Sequence, residues 1–242
     1  MYGSLFCRVY NEFGWNEYPR VFGEQLLRWL DQKEIKVRSA LDLGCGTGVL
    51  CALLNSRGIE SEGIDLSEEM LKVARENAPG LRFTAADMTE YRPRRCFDLV
   101  TCTGDAINHL PDLQAIGRTF DNVYSALNPE GCFVFDLLNE NEVPEGEEFE
   151  LDYSESIRAR FHAVRNDRGF IELRVAVYED GWLKFEETIQ EKLYEPNLIR
   201  ELLRQSGFEV LQFSDRLLLE SNTHGTTWFV VARKLQPRFR KE

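Results

Sequence analysis

Four side chains and one glycine-rich turn in the first half of the chain are of types that could hold and activate a polar ligand. In Asp42-Leu43-Gly44-Cys45-Gly46-Thr47-Gly48, three alternate glycines interrupt an apolar run. Glycines between a strand and a helix let backbone approach a ligand closely and aim the positive end of the helix dipole at it. Asp65 follows about 20 residues later at the end of the second strand, where a carboxylate with two acceptor oxygens suits the vicinal diol of a ribose. Its alternative is a helix-start acid answering the dipole. Asp87 follows a third strand: its oxygens can accept from an exocyclic N–H, and its neighbour Met88 offers a polarizable surface, unless Asp87 is a plain turn residue. His109 has a pKa suited to proton removal near neutrality, unless it serves to shape the pocket.

These residues need strand ends to carry them. A strand over about 37–43 precedes the glycine turn, and Val49, Leu50, Leu53 and Leu54 make the buried stripe of a helix stopping near Gly58. The next strand, 59–66, delivers Asp65 and Leu66. Ser67 then serves as N-cap, with Leu66 and Leu71 spaced as a hydrophobic staple. A third strand, 81–86, ends at Asp87, and Phe97-Asp98-Leu99-Val100-Thr101-Cys102 is dense and apolar, as a central parallel strand should be. It empties into the loop Thr103 to Pro111, which carries His109. Leu113, Ile116, Phe120, Val123, Tyr124 and Leu127 then share a helix face, and Leu127 to Gly131 turns the chain into a strand over 132–137. Strands alternating with helices imply an open α/β sheet, which binds ligands where the strand order reverses. Upstream, Val21, Phe22, Leu26, Trp29 and Leu30 predict a helix from about Arg20 to Gln32. Before it, Tyr10, Phe13, Trp15 and Tyr18 surround Gly14, to cap the sheet edge or to fold over the site.

After Asn139 the text changes. Residues 141–150 have an acidic, linker-like composition, and then the apolar period drops to two. Ile157, Ala159, Phe161 and Ala163 alternate with polar residues, as do Ile171, Leu173, Val175 and Val177, followed by Leu183, Phe185 and Ile189. Turns at 166–169 and 179–181 make this an antiparallel meander of three strands, or four if 148–153 joins. Arg158, Arg160 and Arg174 on it could meet an acidic substrate or simply face solvent, and His162 and His224 read as bystanders. A helix opening at Glu195-Pro196 and stopping at Gly207 leads to closing strands over 208–213 and 226–233.

The glycine turn departs from the dinucleotide fingerprint, whose third small residue falls where Val49 stands. It resembles instead the D/E-x-G-x-G-x-G motif of class I S-adenosylmethionine-dependent methyltransferases. Phe97 to Cys102 and Leu127-Asn128-Pro129-Glu130-Gly131 through Asp136 look like that family's fourth and fifth motifs, so ordered blocks run from Ala40 to Asp136. The resemblance implies a Rossmann-like, seven-stranded, mostly parallel sheet with helices on both faces and an antiparallel last strand. The meander, about 145–193, is then an insertion roofing the substrate pocket, and residues to about 34 form a lid within one domain spanning 1–242. It also implies S-adenosyl-L-methionine as cofactor, held by Tyr18, Asp42, Gly44, Gly46, Gly48, Asp65, Leu66, Asp87, Met88 and Thr103; it does not name a catalytic residue, and His109, by its place in the loop after the central strand, is the candidate base or a residue that shapes the pocket. The reaction expected is methyl transfer to nitrogen or oxygen of a small molecule. The loop at 103–106 lacks the N/D-P-P-Y/F of enzymes that methylate base nitrogens, and no Pro-Cys dipeptide is present. A nicotinamide-type oxidoreductase would also use Asp65, but a Tyr-x-x-x-Lys set is missing. A non-catalytic cofactor-binding module would keep the turn and lose turnover.

Net charge and thiols bound the remaining classes. At −12 with a pI of about 4.9, the chain repels phosphate backbones, which argues against nucleic acid as partner. No run approaches the roughly 18 apolar residues of a membrane span. Six cysteines without a C-x-x-C pair read as reduced, buried small hydrophobes in a cytoplasmic protein, and three dispersed histidines give no metal cluster. A monomer or homodimer acting on a small-molecule substrate is the expectation.

Overall fold

The computed structural model describes residues 10, 14–139, 146, 148–152, 154–166, 170–215 and 227–235. Phe13, Tyr153, the 167–169 turn, His224, Cys7 and most of the 141–147 linker lie outside them. Strands β1 (Ser39–Leu43), β2 (Glu60–Asp65), β3 (Arg82–Ala85), β4 (Phe97–Cys102) and β5 (Leu127–Leu138) alternate with helices α2 (Val49–Ser56), α3 (Glu68–Asn77) and α4 (Leu113–Ala126). Helix α1 (Glu17–Gln32) precedes them. A second set of strands follows: β6 (Glu148–Asp152), β7 (Ile157–Arg165), β8 (Phe170–Glu179) and β9 (Trp182–Lys192). Helix α5 (Pro196–Gln205), β10 (Phe208–Ser214) and β11 (Thr227–Lys234) complete the described chain.

The main sheet has seven strands in the order β10-β11-β5-β4-β1-β2-β3. β1 pairs parallel with β2 and β4, while β11 runs antiparallel between β5 and β10. Successive strand residues face opposite sides, and in the central strands β1, β4 and β5 most are apolar, so each side recruits helices. Ala40, Leu99, Cys132 and Val134 bury against Phe22, Leu26 and Trp29 of α1 and Leu50 and Leu54 of α2. Their neighbours Leu41, Val100, Phe133 and Phe135 bury against Ile116, Phe120 and Val123 of α4 and Ile199 and Leu203 of α5. The order reverses between β1 and β4, so the carboxyl ends of those strands open a crevice.

The meander is a separate four-stranded antiparallel sheet, β6-β7-β8-β9, with the fourth strand present as β6. Its inner face buries Ala159, Phe161, Val175 and Val177, with Trp15, Phe185 and Ile189 packed against them. Trp15 meets Phe161 edge-on at 6.1 Å, and Met70 of α3 packs with Tyr10, Trp15, Phe185 and Ile189. Aromatic residues ahead of α1 therefore join the second sheet to the first.

Several local expectations are corrected. Helix α1 begins at Glu17 rather than Arg20. β5 already starts at Leu127, and the expected turn is an irregularity within it where Glu130 takes φ +63°. Leu183 does not share the inner face of Phe185 and Ile189: pairing shifts from Val177↔Phe185 to Tyr178↔Leu183, so Lys184 is an extra residue and the alternation inverts there. Leu66 stays 58% exposed instead of closing over the buried Leu71 as a staple. Cys45, Cys51, Cys102 and Cys132 are buried, but Cys96 is exposed.

Candidate active site

At the carboxyl ends of β1, β2 and β4 lies a cavity of about 540 Å³, within the range of small-ligand sites. Its wall includes Asp42, Gly44, Gly46, Asp65, Leu66, Asp87, Met88, Thr103 and His109 of the residues expected from sequence.

The glycine turn is built by local bonds. Gly48 N–H donates to the Cys45 carbonyl (2.9 Å), Cys45 N–H to the Ile64 carbonyl (2.9 Å), and the Asn77 amide donates to the Thr47 carbonyl (2.9 Å). All three glycines have positive φ, which a side chain would strain. Their roles nevertheless differ. A Cβ on Gly48 would fall 2.9 Å from Phe83 and 3.0 Å from Ala74, and one on Gly44 would fall 2.9 Å from Ala106. A Cβ on Gly46 would meet nothing of the protein within 4 Å, because it would stand in the cavity. Gly48 is not on the wall: it caps α2 and makes room for α3.

Asp65 presents its carboxylate beside that opening. Gly46 N–H donates to Oδ2 at 2.9 Å and Ser67 N–H to Oδ1 at 2.8 Å. A carboxylate has about four acceptor positions, so each oxygen keeps capacity for a hydroxyl of a ligand. Burial holds the Asp65 carboxyl above its ordinary value, against the donors from Ser67 and Gly46. Ser67 is the N-cap of α3, accepting from Met70 N–H at 3.3 Å, so Asp65 is not needed for that task. Asp87 accepts from Thr89 N–H at 2.7 Å through Oδ1, and Asn122 donates to the Met88 carbonyl at 3.1 Å. Asp42 is buried behind the turn, accepts from the Thr101 hydroxyl at 2.7 Å, and is pushed up to about 7 by its burial. An opening where only a hydrogen fits, a half-engaged carboxylate on its flank, and Asp87 with Met88 at the next strand end fit an adenosyl group.

On the far side the loop after β4 is pinned from β5. Asp136, fully buried, accepts from Gly104 N–H (3.0 Å), Asp105 N–H (2.9 Å) and the Tyr18 hydroxyl. Tyr18 thus reaches the floor of this loop and not the cavity wall, where Tyr10 stands instead. Burial pushes the Tyr10 phenol up to about 12, with Asp105, Asp65 and Asp136 adding to it. Burial likewise raises the Asp105 carboxyl well above its usual range, reinforced by Asp136 and Glu191.

Strand β9 is tied to this loop and contributes Glu187, Thr188, Ile189 and Gln190 to the wall. The buried Asn108 donates to the Lys192 carbonyl (2.7 Å) and accepts from Leu138 N–H (3.1 Å). Lys192 donates to the Pro111 carbonyl (3.0 Å), and the Tyr194 hydroxyl to the Leu110 carbonyl (2.5 Å). His109 sits at the wall with Nδ1 3.2 Å from the Gln190 carbonyl and Nε2 3.8 Å from Glu191 Oε1. Burial holds its pKa below the ordinary value, against the Gln190 carbonyl and Asp65.

The meander arginines are elsewhere. Arg158 binds Asp152 (2.6 Å), Arg160 binds Glu150 (2.9 Å) and Arg174 approaches Glu186 (3.6 Å), all exposed, while Arg118 of α4 brings a cation to the cavity. His162 faces Glu148 at 3.9 Å, away from the wall. Sequence reasoning missed Asp136, Asn108, Arg118, Glu187 and Glu191 as parts of the site, and offered Tyr10 only among the aromatics that cap the sheet edge or fold over that site. A signal existed for Asp136, a lone acid ending the apolar run Phe133-Val134-Phe135. Another existed for Glu187 and Glu191, which share strand parity with Phe185 and Ile189.

Residues 40–131 match the family model for a methyltransferase domain. The methyltransferase homologue YqeM of Bacillus subtilis (strain 168) is 28% identical, over 77% of this chain and 80% of its own. A ubiquinone biosynthesis O-methyltransferase of Pseudomonas savastanoi pv. phaseolicola (strain 1448A / Race 6) is 32% identical over 48% of this chain and 51% of its own. The S-adenosylmethionine-bound structure of CalS10, an amino pentose methyltransferase from Micromonospora echinaspora, superposes with a TM-score of 0.75 at 21% identity, covering 97% of this chain and 98% of that one. Motif order, strand order, cavity and these matches agree: residues 40–131 match a methyltransferase domain, and the chain has the fold of the class I S-adenosylmethionine-dependent methyltransferases.

Proposed function

We propose that this enzyme transfers a methyl group to a nitrogen or oxygen of a small-molecule acceptor held between the 103–111 loop and β9. The observation that supports it is the single cavity joining Gly46, Asp65 and Asp87 at one end to His109 and the inner face of β9 at the other. When bound, S-adenosylmethionine supplies an already activated methyl on sulfur. What remains for the protein is to align an acceptor in line and keep water out.

In this reading Gly44 and Gly46 admit the cofactor, Asp65 and Leu66 hold its ribose side, and Asp87 and Met88 hold its adenine side. Asp42 and Thr103 close the floor beneath them. Tyr10, rather than Tyr18, closes the near wall, while Tyr18 and Gly48 hold the loop and turn in shape. His109 takes a proton from the acceptor. The N-terminal residues and the meander are one cover over the acceptor, supported by Trp15 and Met70 packing against β7 and β9 side chains. The relatives include an O-methyltransferase and an amino pentose methyltransferase, so both acceptor elements remain in the proposal.

Calorimetric titration with S-adenosylhomocysteine and with NAD tests the cofactor half: binding of NAD and not S-adenosylhomocysteine overturns it. A coupled assay for homocysteine release across amines and phenols tests the rest, and no turnover across the panel favours a non-catalytic binding module.

A further inference from the structure

The cofactor reading leaves unused the carboxylates on the inner face of β9. Glu187 and Glu191 share strand parity with Phe185 and Ile189, whose side chains pack inward on Trp15 and Met70. All four are half-buried, whereas Glu186, Thr188 and Gln190 between them are exposed. The end of this strand is held in register by the bonds from Asn108, Lys192 and Tyr194 to and from the 106–111 segment. Glu191 is thereby fixed with its carboxylate 3.8 Å from His109 Nε2, its side chain only 15% exposed.

We propose that Glu191 is a positioning residue, which holds His109 at the cavity wall and stabilises the imidazolium formed when His109 takes a proton from a cationic amine acceptor. This rests on the methyl-transfer reading above and narrows its acceptor to an amine. An ammonium cannot attack, since its nitrogen has no lone pair. One N–H proton passes to the imidazole. The freed pair forms the new nitrogen–carbon bond as the methyl carbon's bond to sulfur breaks, leaving that bonding pair on sulfur. The imidazolium left behind faces a carboxylate in a partly desolvated setting, where the attraction is far stronger than in water.

The surrounding charge favours the same acceptor. Glu191 of β9 lies 3.8 Å from His109 and Asp65 at the end of β2 acts on it through space, while Glu187 and Tyr10 line the same cavity and Asp105 stands in the same loop, its backbone N–H bound by Asp136. Arg118 of α4 is a cation on this wall, and Lys192 turns its ammonium to the Pro111 carbonyl. A phenolate would add to the repulsion that, with burial, already keeps protons on these acids, whereas an ammonium relieves it. Burial by itself places the Glu191 carboxyl at about 7, and an imidazolium formed beside it draws that carboxyl back toward its ionised form; burial also keeps His109 below its ordinary value, so at neutral pH the imidazole is unprotonated.

The chain has three histidines, so His109 can be followed by NMR titration of the protein saturated with S-adenosylhomocysteine, with assignment by His109→Gln. In Glu191→Gln we expect His109 to bind its proton about tenfold more weakly, the lower end of the effect of a nearby opposite charge. The acid limb of kcat/KM for an amine acceptor moves to lower pH accordingly, and kcat falls about tenfold. Should Glu191→Gln not fold, Glu191→Asp withdraws the carboxylate by one methylene, and a smaller weakening of the same sign is expected. Unchanged His109 titration in a variant that still binds S-adenosylhomocysteine overturns this inference alone. Failure of the wild type to bind S-adenosylhomocysteine overturns the reading beneath it.

Discussion

Three glycines two residues apart do three different jobs, and substitutions should separate them. Gly46→Ala places a methyl in open cavity, at a backbone strain of about 1–2 kcal/mol. We expect it to fold and to bind S-adenosylhomocysteine at least tenfold more weakly in calorimetry. Gly48→Ala carries similar strain plus a methyl 2.9 Å from Phe83, so its deficit should appear first as a lower thermal midpoint. Asp65 holds the turn, since Gly46 N–H donates to it, and in the proposed reading it also holds the ribose. Asp65→Ala should weaken S-adenosylhomocysteine binding by roughly 1–3 kcal/mol, the usual worth of bonds to a charged group. Unaltered affinity would remove that residue from the site.

Between elements, the placement of the second sheet depends on a few bonds to one loop. Asn108 joins β5 to β9 through backbone groups of Leu138 and Lys192. Asn108→Ala leaves one N–H and one C=O without their partner in a buried setting, at a cost of at least about 2 kcal/mol. If β9 is positioned this way, hydrogen exchange should rise over 182–192 and the acceptor KM should increase, while S-adenosylhomocysteine affinity changes little. Equal losses on both sides of the cavity would show that Asn108 serves the whole fold and not the roof.

Across the whole molecule, buried acids set the response to pH. Asp42 and Glu191 both stand at about 7 in the folded chain, well above ordinary carboxylates. The native state therefore keeps protons that the unfolded chain has already lost between about pH 4 and 7. Their contribution to stability is complete below that window, falls as pH rises through it, and is flat above. Thermal midpoints of the ligand-free protein should drop between about pH 5 and 7, and Asp42→Asn should remove much of that slope. A midpoint that rises over the same interval would contradict these assignments.

What the sequence by itself determined is the part carried by neighbours along the chain. A strand, a glycine turn and a helix are consecutive, so Asp42 to Leu50 reads directly, and Asp65 and Asp87 follow because each comes at the end of the next strand in turn. The same locality makes the succession of strands and helices and the meander legible as periodicity, whereas the arrangement of the sheet was expected only from the family resemblance. Only the tertiary structure decided which side chains complete the site, since their partners are remote: Tyr18 lies 118 positions from Asp136, and Asn108 lies 84 from Lys192. Alternation along β9 says that Glu187 and Glu191 share a face, but not that this face covers a cavity. The one-residue bulge at Lys184 also moves Leu183 off the face its parity suggests. Pairing register and sheet packing settle those points, and both arise from contacts between distant segments that no local pattern encodes.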